Sequence, residues 1–233
     1  MTTKRQRLVT GIAIIAIILL AAMTSGCILC CGLDSLLSKL KGPVTDISLP
    51  ETLSTGGDNY TLLQSADYLN SSAAKAGFRE FIPRIGYSPA EYGNSVDQMI
   101  NVGGVQQYKW FEYGEGSGRV AVGGFLAKAG SPFIVDSGIG SLNAMLGLSM
   151  GIINDPDLNR GGARNLTRIG STSIGGGGDV WHFDARYDGE ERDCWFVMGK
   201  YSNVYVAVYS FESREAAENV TRQAIGWIDN ATA

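Results

Sequence analysis

The chain has 233 residues, 18% of them charged and 45% hydrophobic, with a formal net charge of −4. All 23 acidic residues follow position 33 while three of the 19 basic ones precede it, so residues 34–233 carry 23 acids against 16 bases, net −7. That balance excludes nucleic acid and anionic lipid as electrostatically drawn partners, and it falls short of a disordered polyanion.

The N-terminus has a pattern of its own. Lys4, Arg5 and Arg7 precede Leu8 to Leu33, 26 residues without a charge, inside which Ile12 to Met23 is unbroken apolar sequence. A basic cap before an apolar run is the signature of export or membrane insertion, and the basic flank keeps the N-terminus inside. Roughly 20 apolar residues cross a bilayer, so the run is long enough for a retained hydrophobic membrane helix. The run closes on Ser25-Gly26-Cys27, which resembles the lipobox of bacterial and archaeal lipoproteins. That resemblance implies lipidation of Cys27 as the mature N-terminus. A pilin-type signal processed near Gly11 is a third reading. All the membrane readings place residues beyond 33 outside the cytoplasm.

Three units are therefore expected: 1–33 as signal or anchor, 34–60 as juxtamembrane helix and linker, and 61–233 as one extracytoplasmic domain. Leu33, Leu36, Leu37 and Leu40 share one helical face, read as a last turn or two continuing the membrane helix into the interface or as a separate amphipathic foot on the lipid, and Gly42-Pro43 ends it. Val44 to Tyr60, rich in Thr, Ser and Gly, reads as linker. Ser65 to Ala76 reads as a short helix. Ser88-Pro89-Ala90-Glu91 is a capping box that starts a helix over 89–100.

Val105 to Tyr113 and Arg119 to Ala127 form a hairpin through a glycine-rich turn. Gly123-Gly124 in its second strand marks a bulge or a close backbone approach. Phe133 to Val135 reads as a short strand, and the spacing of Ile139, Leu142, Leu146, Met150 and Ile153 predicts a buried helix over 141–153. Asn154 to Gly178 reads as a long polar connection. Strands over 180–187, 193–200 and 204–211 make a meander. A helix over 214–229 follows, capped by Ser213, with Ala217, Val220, Ala224, Trp227 and Ile228 as its buried stripe. The sum is an α+β fold, an antiparallel sheet of five or more strands covered by helices.

The strand–turn–strand–helix ending from Gly199 to Ile228 is similar to the ends of small exported lipoproteins and kinase-attached sensor domains. The resemblance implies a two-layer sandwich that binds a ligand or partner without performing chemistry.

Catalytic equipment is sparse. Of four cysteines, Cys27, Cys30 and Cys31 belong to the anchor, which leaves Cys194 with the single histidine, His182. If Asp188-Gly189 is a two-residue turn, Phe183 pairs with Cys194 and His182 with Trp195, so thiol and imidazole point to opposite faces. Val180, His182, Asp184 and Arg186 form the side expected to face solvent. Asp155-Pro156-Asp157-Leu158-Asn159 begins like a calcium loop, but Arg160 and Leu166 occupy the positions that need glycine and glutamate. Gly175 to Gly178 lacks the lysine of a phosphate loop and reads as a flexible connection. Trp110, Tyr113, Trp181, Trp195, Tyr205 and Tyr209 are a candidate ligand-lining group whose strand spacing equally fits a core. Five of eleven asparagines stand in N-x-S/T sequons, Asn59, Asn70, Asn165, Asn219 and Asn230, the pattern of a glycosylated surface protein.

These features predict a non-enzymatic, membrane-anchored extracytoplasmic domain that binds a small-molecule ligand or partner protein. No metal site and no cofactor are expected. A structural, pilus-like surface subunit is the alternative. An exported hydrolase would need Asp184, His182 and Cys194 to converge.

Overall fold

The computed structural model describes residues 42–86, 88–90, 93–94, 97, 105–116, 118–157 and 162–232. The membrane run, Cys27 and the leucine foot lie outside the described residues. So does most of the predicted helix over 89–100, whose described positions 89, 90, 93, 94 and 97 are helical. Among the described residues no helix is long and apolar enough to cross a membrane.

Eight strands among the described residues form one antiparallel sheet: β1 (Thr52–Thr55), β2 (Asp58–Tyr68), β3 (Val105–Gly114), β4 (Val120–Ala129), β5 (Ala163–Thr172), β6 (Gly178–Tyr187), β7 (Glu190–Tyr201) and β8 (Val204–Ser210). Their spatial order is β1-β2-β3-β4-β8-β7-β6-β5. Two meanders, β1–β4 and β5–β8, therefore meet along the β4–β8 pair. Helices cover both faces. On one side α1 (Ser71–Phe81), a 3-10 turn at Ile82–Ile85 and α2 (Pro132–Ile153) close a core that includes Phe78, Tyr108, Phe125, Trp181 and Phe196. On the other side α3 (Arg214–Thr232) and the segment Val44 to Leu49 close a second core over Phe111, Leu126, Val197 and Val206.

The meander forms where the sequence places it. Asp188-Gly189 is a two-residue turn that takes positive φ at both positions. The register beyond it pairs Tyr187 with Glu190, Phe183 with Cys194 and His182 with Trp195, as predicted. Ser213 caps α3 by accepting from the Ala216 amide at 3.1 Å, and Ala217, Val220, Ala224 and Ile228 are buried. Val180 departs from the expected solvent-facing set. It is fully buried because α3 covers that face of the sheet.

Five other expectations are corrected. The presumed linker Val44 to Tyr60 is part of the fold: Val44, Ile47 and Leu53 are buried and β1 pairs with β2. The domain thus begins well before residue 61. Ser65 to Ala76 is not a helix from its start. Ser65 to Tyr68 pair with β3, and Asn70 caps the later helix by accepting from the Ala73 amide at 2.9 Å. Cross-strand packing outweighs the helix propensity of Ala and Leu here. Phe133 to Val135 are the first turn of α2, where Pro132 opens the helix and the Ser131 hydroxyl accepts from the Ile134 amide.

The polar connection Asn154 to Gly178 contains β5. Its irregular pairing with β6 and the positive φ of Asn165 and Gly170 break the two-residue period. The glycine run is packed rather than loose. Gly175 has φ 56°, and a Cβ there would lie 2.7 Å from the Lys200 amide nitrogen.

Candidate functional site

One end of the sheet carries a buried charge. Glu112 on β3 has no solvent exposure, and a carboxylate so placed must be hydrogen-bonded to be tolerated. Four donors converge on it. Oε1 accepts from the hydroxyls of Tyr209, at 2.6 Å, and Tyr187. Oε2 accepts from Gln64 Nε2 at 2.5 Å and from Arg84 Nη1 at 3.0 Å. Two partners on each oxygen engage the whole acceptor capacity of an ionised carboxylate.

Each donor arrives by a local device. A bulge between Leu62 and Gln64 shifts β2 by one residue, so an amide stands opposite Glu112 instead of a leucine. Glu112 pairs with Gly123 on β4, and Gly123 pairs with Tyr209 on β8. The missing side chain at Gly123 opens a slot through which the Tyr209 hydroxyl crosses β4 to reach β3. A Cβ at Gly123 would lie 2.3 Å from that hydroxyl oxygen. The Arg84 guanidinium packs over Trp110 at 5.3 Å and Tyr187 at 4.9 Å, and forms a two-bond pair with Asp188 at 2.9 and 2.7 Å.

Burial pushes the Glu112 carboxyl above its ordinary value of 4.5, against the pull of Arg84, Tyr209 and Gln64. Burial also works to lower the Arg84 guanidinium, but Asp188 and Glu112 outweigh it and hold it above its ordinary range. The folded chain thus holds a proton on Glu112 more tightly than the unfolded chain does. Its contribution to stability is complete below about pH 4.5 and is lost as pH rises through the folded value. Unfolding free energies of the wild type minus those of Glu112→Gln should fall across that interval; a difference that rises with pH would contradict the assignment.

Above this network lies an open cleft of about 700 Å³, walled by Gln64, Arg84, Arg119, Asp188, Glu190 and Arg192 among others. Arg119 approaches Glu190 at 3.6 Å at the rim. Arg192 donates to the Val120 carbonyl at 2.6 Å and lies over the Phe211 ring at 4.1 Å. The walls thus offer both signs of charge: Gln64, Arg84 and Asp188 are held by the Glu112 network and Arg192 by Val120 and Phe211, while Arg119 and Glu190 are largely exposed.

The residues singled out in the sequence are not at this site, except Tyr209. Trp110 lies beside it, stacked on Arg84. Cys194 and His182 occupy opposite faces: the thiol lies in the core under α2, while His182 packs on Trp195 at 4.4 Å and stands 3.8 Å from Asp193. Asp184 receives a hydrogen bond from Asn165, so it does not join them. Burial pushes the Cys194 thiol far above its ordinary range. Cys194 should therefore resist maleimide in the folded chain at mildly alkaline pH and react once urea unfolds it; labelling at equal rates in both states would disprove the burial.

Asp155 caps a local turn by accepting from the Asp157 amide at 2.8 Å, and among the described residues no acidic, His or Cys group is arranged to hold a metal. The six aromatic candidates divide between both faces of the sheet. Tyr113 donates to the Pro50 carbonyl, Tyr205 to the Ile134 carbonyl and Trp181 to Asn143. Asn59, Asn70, Asn165 and Asn230 are exposed, whereas Asn219 is half-buried on α3 beside fully buried Thr221.

Glu112, Arg84 and Gln64 escaped sequence reasoning because their partners are remote in the chain. A signal did exist, since Glu112 places a charge between the aromatic residues Phe111 and Tyr113 of a strand, although Lys109 does the same between Tyr108 and Trp110.

No protein-family model matches the chain, and no curated protein matches it. Among solved structures, the extracellular domain of PknH from Mycobacterium tuberculosis is similar over 72% of this chain and 78% of that one, with 8% identity and a TM-score of 0.38. So slight a likeness carries neither fold nor function across.

Proposed function

We propose that this is a non-enzymatic, membrane-tethered domain on the extracytoplasmic side of the cell membrane, which binds a polar ligand or partner in the cleft above Glu112. The observation that carries the binding reading is a cleft whose charged walls stand on a saturated buried network. Such support fixes side chains before a ligand arrives, which lowers the ordering cost of binding. The same saturation argues against catalysis, because a carboxylate with every acceptor position engaged is poorly placed to accept a substrate proton. The opposed faces of His182 and Cys194 argue likewise. The tether rests on the basic cap, the apolar run and Ser25-Gly26-Cys27, and the exposed sequons suit a surface location.

Intact mass of the chain extracted from its own membranes tests the tether. A chain beginning at diacylglyceryl-modified Cys27, or one retaining residues 1–33, supports it; recovery in the soluble fraction overturns it. Native mass spectrometry of the same material tests the cleft. A bound adduct present in the wild type should be lost in Arg119→Glu, and an adduct that survives that charge reversal would place binding elsewhere.

A further inference from the structure

Among the described residues the outer face of α2 has no counterpart. A helix on a water-facing surface has a polar side, as α3 does with Glu218, Arg222 and Asp229. In α2 the core side is Val135, Ile139, Leu146 and Ile153. The outward side is Phe133, Asp136, Gly140, Gly147, Leu148 and Gly151, all exposed. Leu148 is 81% exposed and Phe133 46%. No charged residue occurs from Ser137 to Asn154. The single charge of the helix, Asp136, is neutralised by Lys200. A helix whose exposed side carries a single, ion-paired charge and two bulky apolar side chains is poorly matched to water.

The place where the described residues begin bears on what covers it. The Gly42 carbonyl accepts from Lys128 Nζ at 2.6 Å, near the end of β4. β4 ends at Ala129 and α2 begins at Pro132, so the point where the N-terminal segment joins the fold and the first turn of α2 share one end of the sheet, the former entering the core on the α3 face and the latter on the opposite one. Residues 34–41 link that point to the apolar run. Eight residues reach at most about 28 Å, which keeps the domain close to any bilayer holding the run.

We propose that α2 lies in the plane of the membrane surface, with Phe133 and Leu148 inserted among the lipids to which the N-terminus tethers the chain. The proposal rests on the tether reading above. Phe133 and Leu148 are roughly 23 Å apart along the helix and about 60° apart around it, two contact points on one face. The one charge on the face, Asp136, is paired with Lys200, and residues 34–233 are net negative, so the face meets lipid through apolar burial and not through attraction to anionic headgroups. Two bulky side chains among glycine and alanine offer a second copy less than the roughly 800 Å² per partner of a stable interface.

The test uses the full chain in phosphatidylcholine vesicles, with Cys30→Ser and Cys31→Ser, and a nitroxide attached at Leu148→Cys or, as the control on α3, at Arg222→Cys. The chain lacking either introduced cysteine supplies the background spectrum. We expect the chain to float with the vesicles. At position 148 the ratio of oxygen to nickel-chelate accessibility should be severalfold higher than at position 222, and Phe133→Glu should abolish that difference without releasing the chain. A floating chain with equal ratios at both positions overturns the docking and leaves the tether intact. A chain that fails to float overturns both. Dipolar broadening between labels at position 148 would show that a second copy covers the face, and would overturn the lipid assignment.

Discussion

Glu112→Ala should lower the unfolding free energy by about 3–5 kcal/mol, the usual cost of breaking a buried ion pair from one side. Arg84 keeps Asp188, but the hydroxyls of Tyr187 and Tyr209 and the Gln64 amide lose their common acceptor. In a chain of this size each kcal/mol moves the melting temperature by roughly 2–4 °C, so a fall of roughly 10 °C is expected. Urea titration with both fluorescence and far-ultraviolet dichroism would measure it. The milder Glu112→Gln keeps the shape and one carbonyl acceptor, and should cost less. A loss below about 1 kcal/mol for alanine would mean that water or rearranged partners replace the carboxylate readily.

Gly123→Val should cost a similar amount by a different route. The new side chain would occupy the slot of the Tyr209 ring, which lies 2.3–2.8 Å from where a Cβ must stand. Overpacking a core costs about 1–3 kcal/mol, and expelling the Tyr209 hydroxyl from Glu112 adds a buried unsatisfied group at about 1–3 kcal/mol more. The discriminating measurement is the double variant. Tyr209→Leu frees the slot, so Gly123→Val should be far less harmful in that background than in the wild type. Additive losses would mean that the two positions do not share one volume.

What could be read from the sequence was local. The meander and α3 are legible because alternation, a two-residue turn and a capping serine all operate within a dozen residues. The opposed placement of His182 and Cys194 followed from that turn alone. β5 and the start of α1 were hidden, the first by an irregular register with two positive-φ positions, the second by helix-favouring residues pressed into a strand. Gly123-Gly124 reads as a bulge or a close approach, and nothing nearby in sequence chooses between them or says that Tyr209 is what approaches. The Glu112 site is wholly of this kind: its bonds join residues separated by 28 to 97 positions.

The seam between β4 and β8 gives that separation a kinetic meaning. Each meander pairs strands that are consecutive in the chain, so each half can form before the seam, which joins more remote segments and closes late. Arg84, Glu112 and Gln64 come from the first half, Tyr187, Asp188 and Tyr209 from the second. The cleft walls divide the same way, so the cleft does not exist until the halves have met. A ligand held there would act as a clasp on the seam: it would slow reopening of the halves and raise the protection of β4 and β8 amides from exchange, while leaving the outer strands of either meander unaffected.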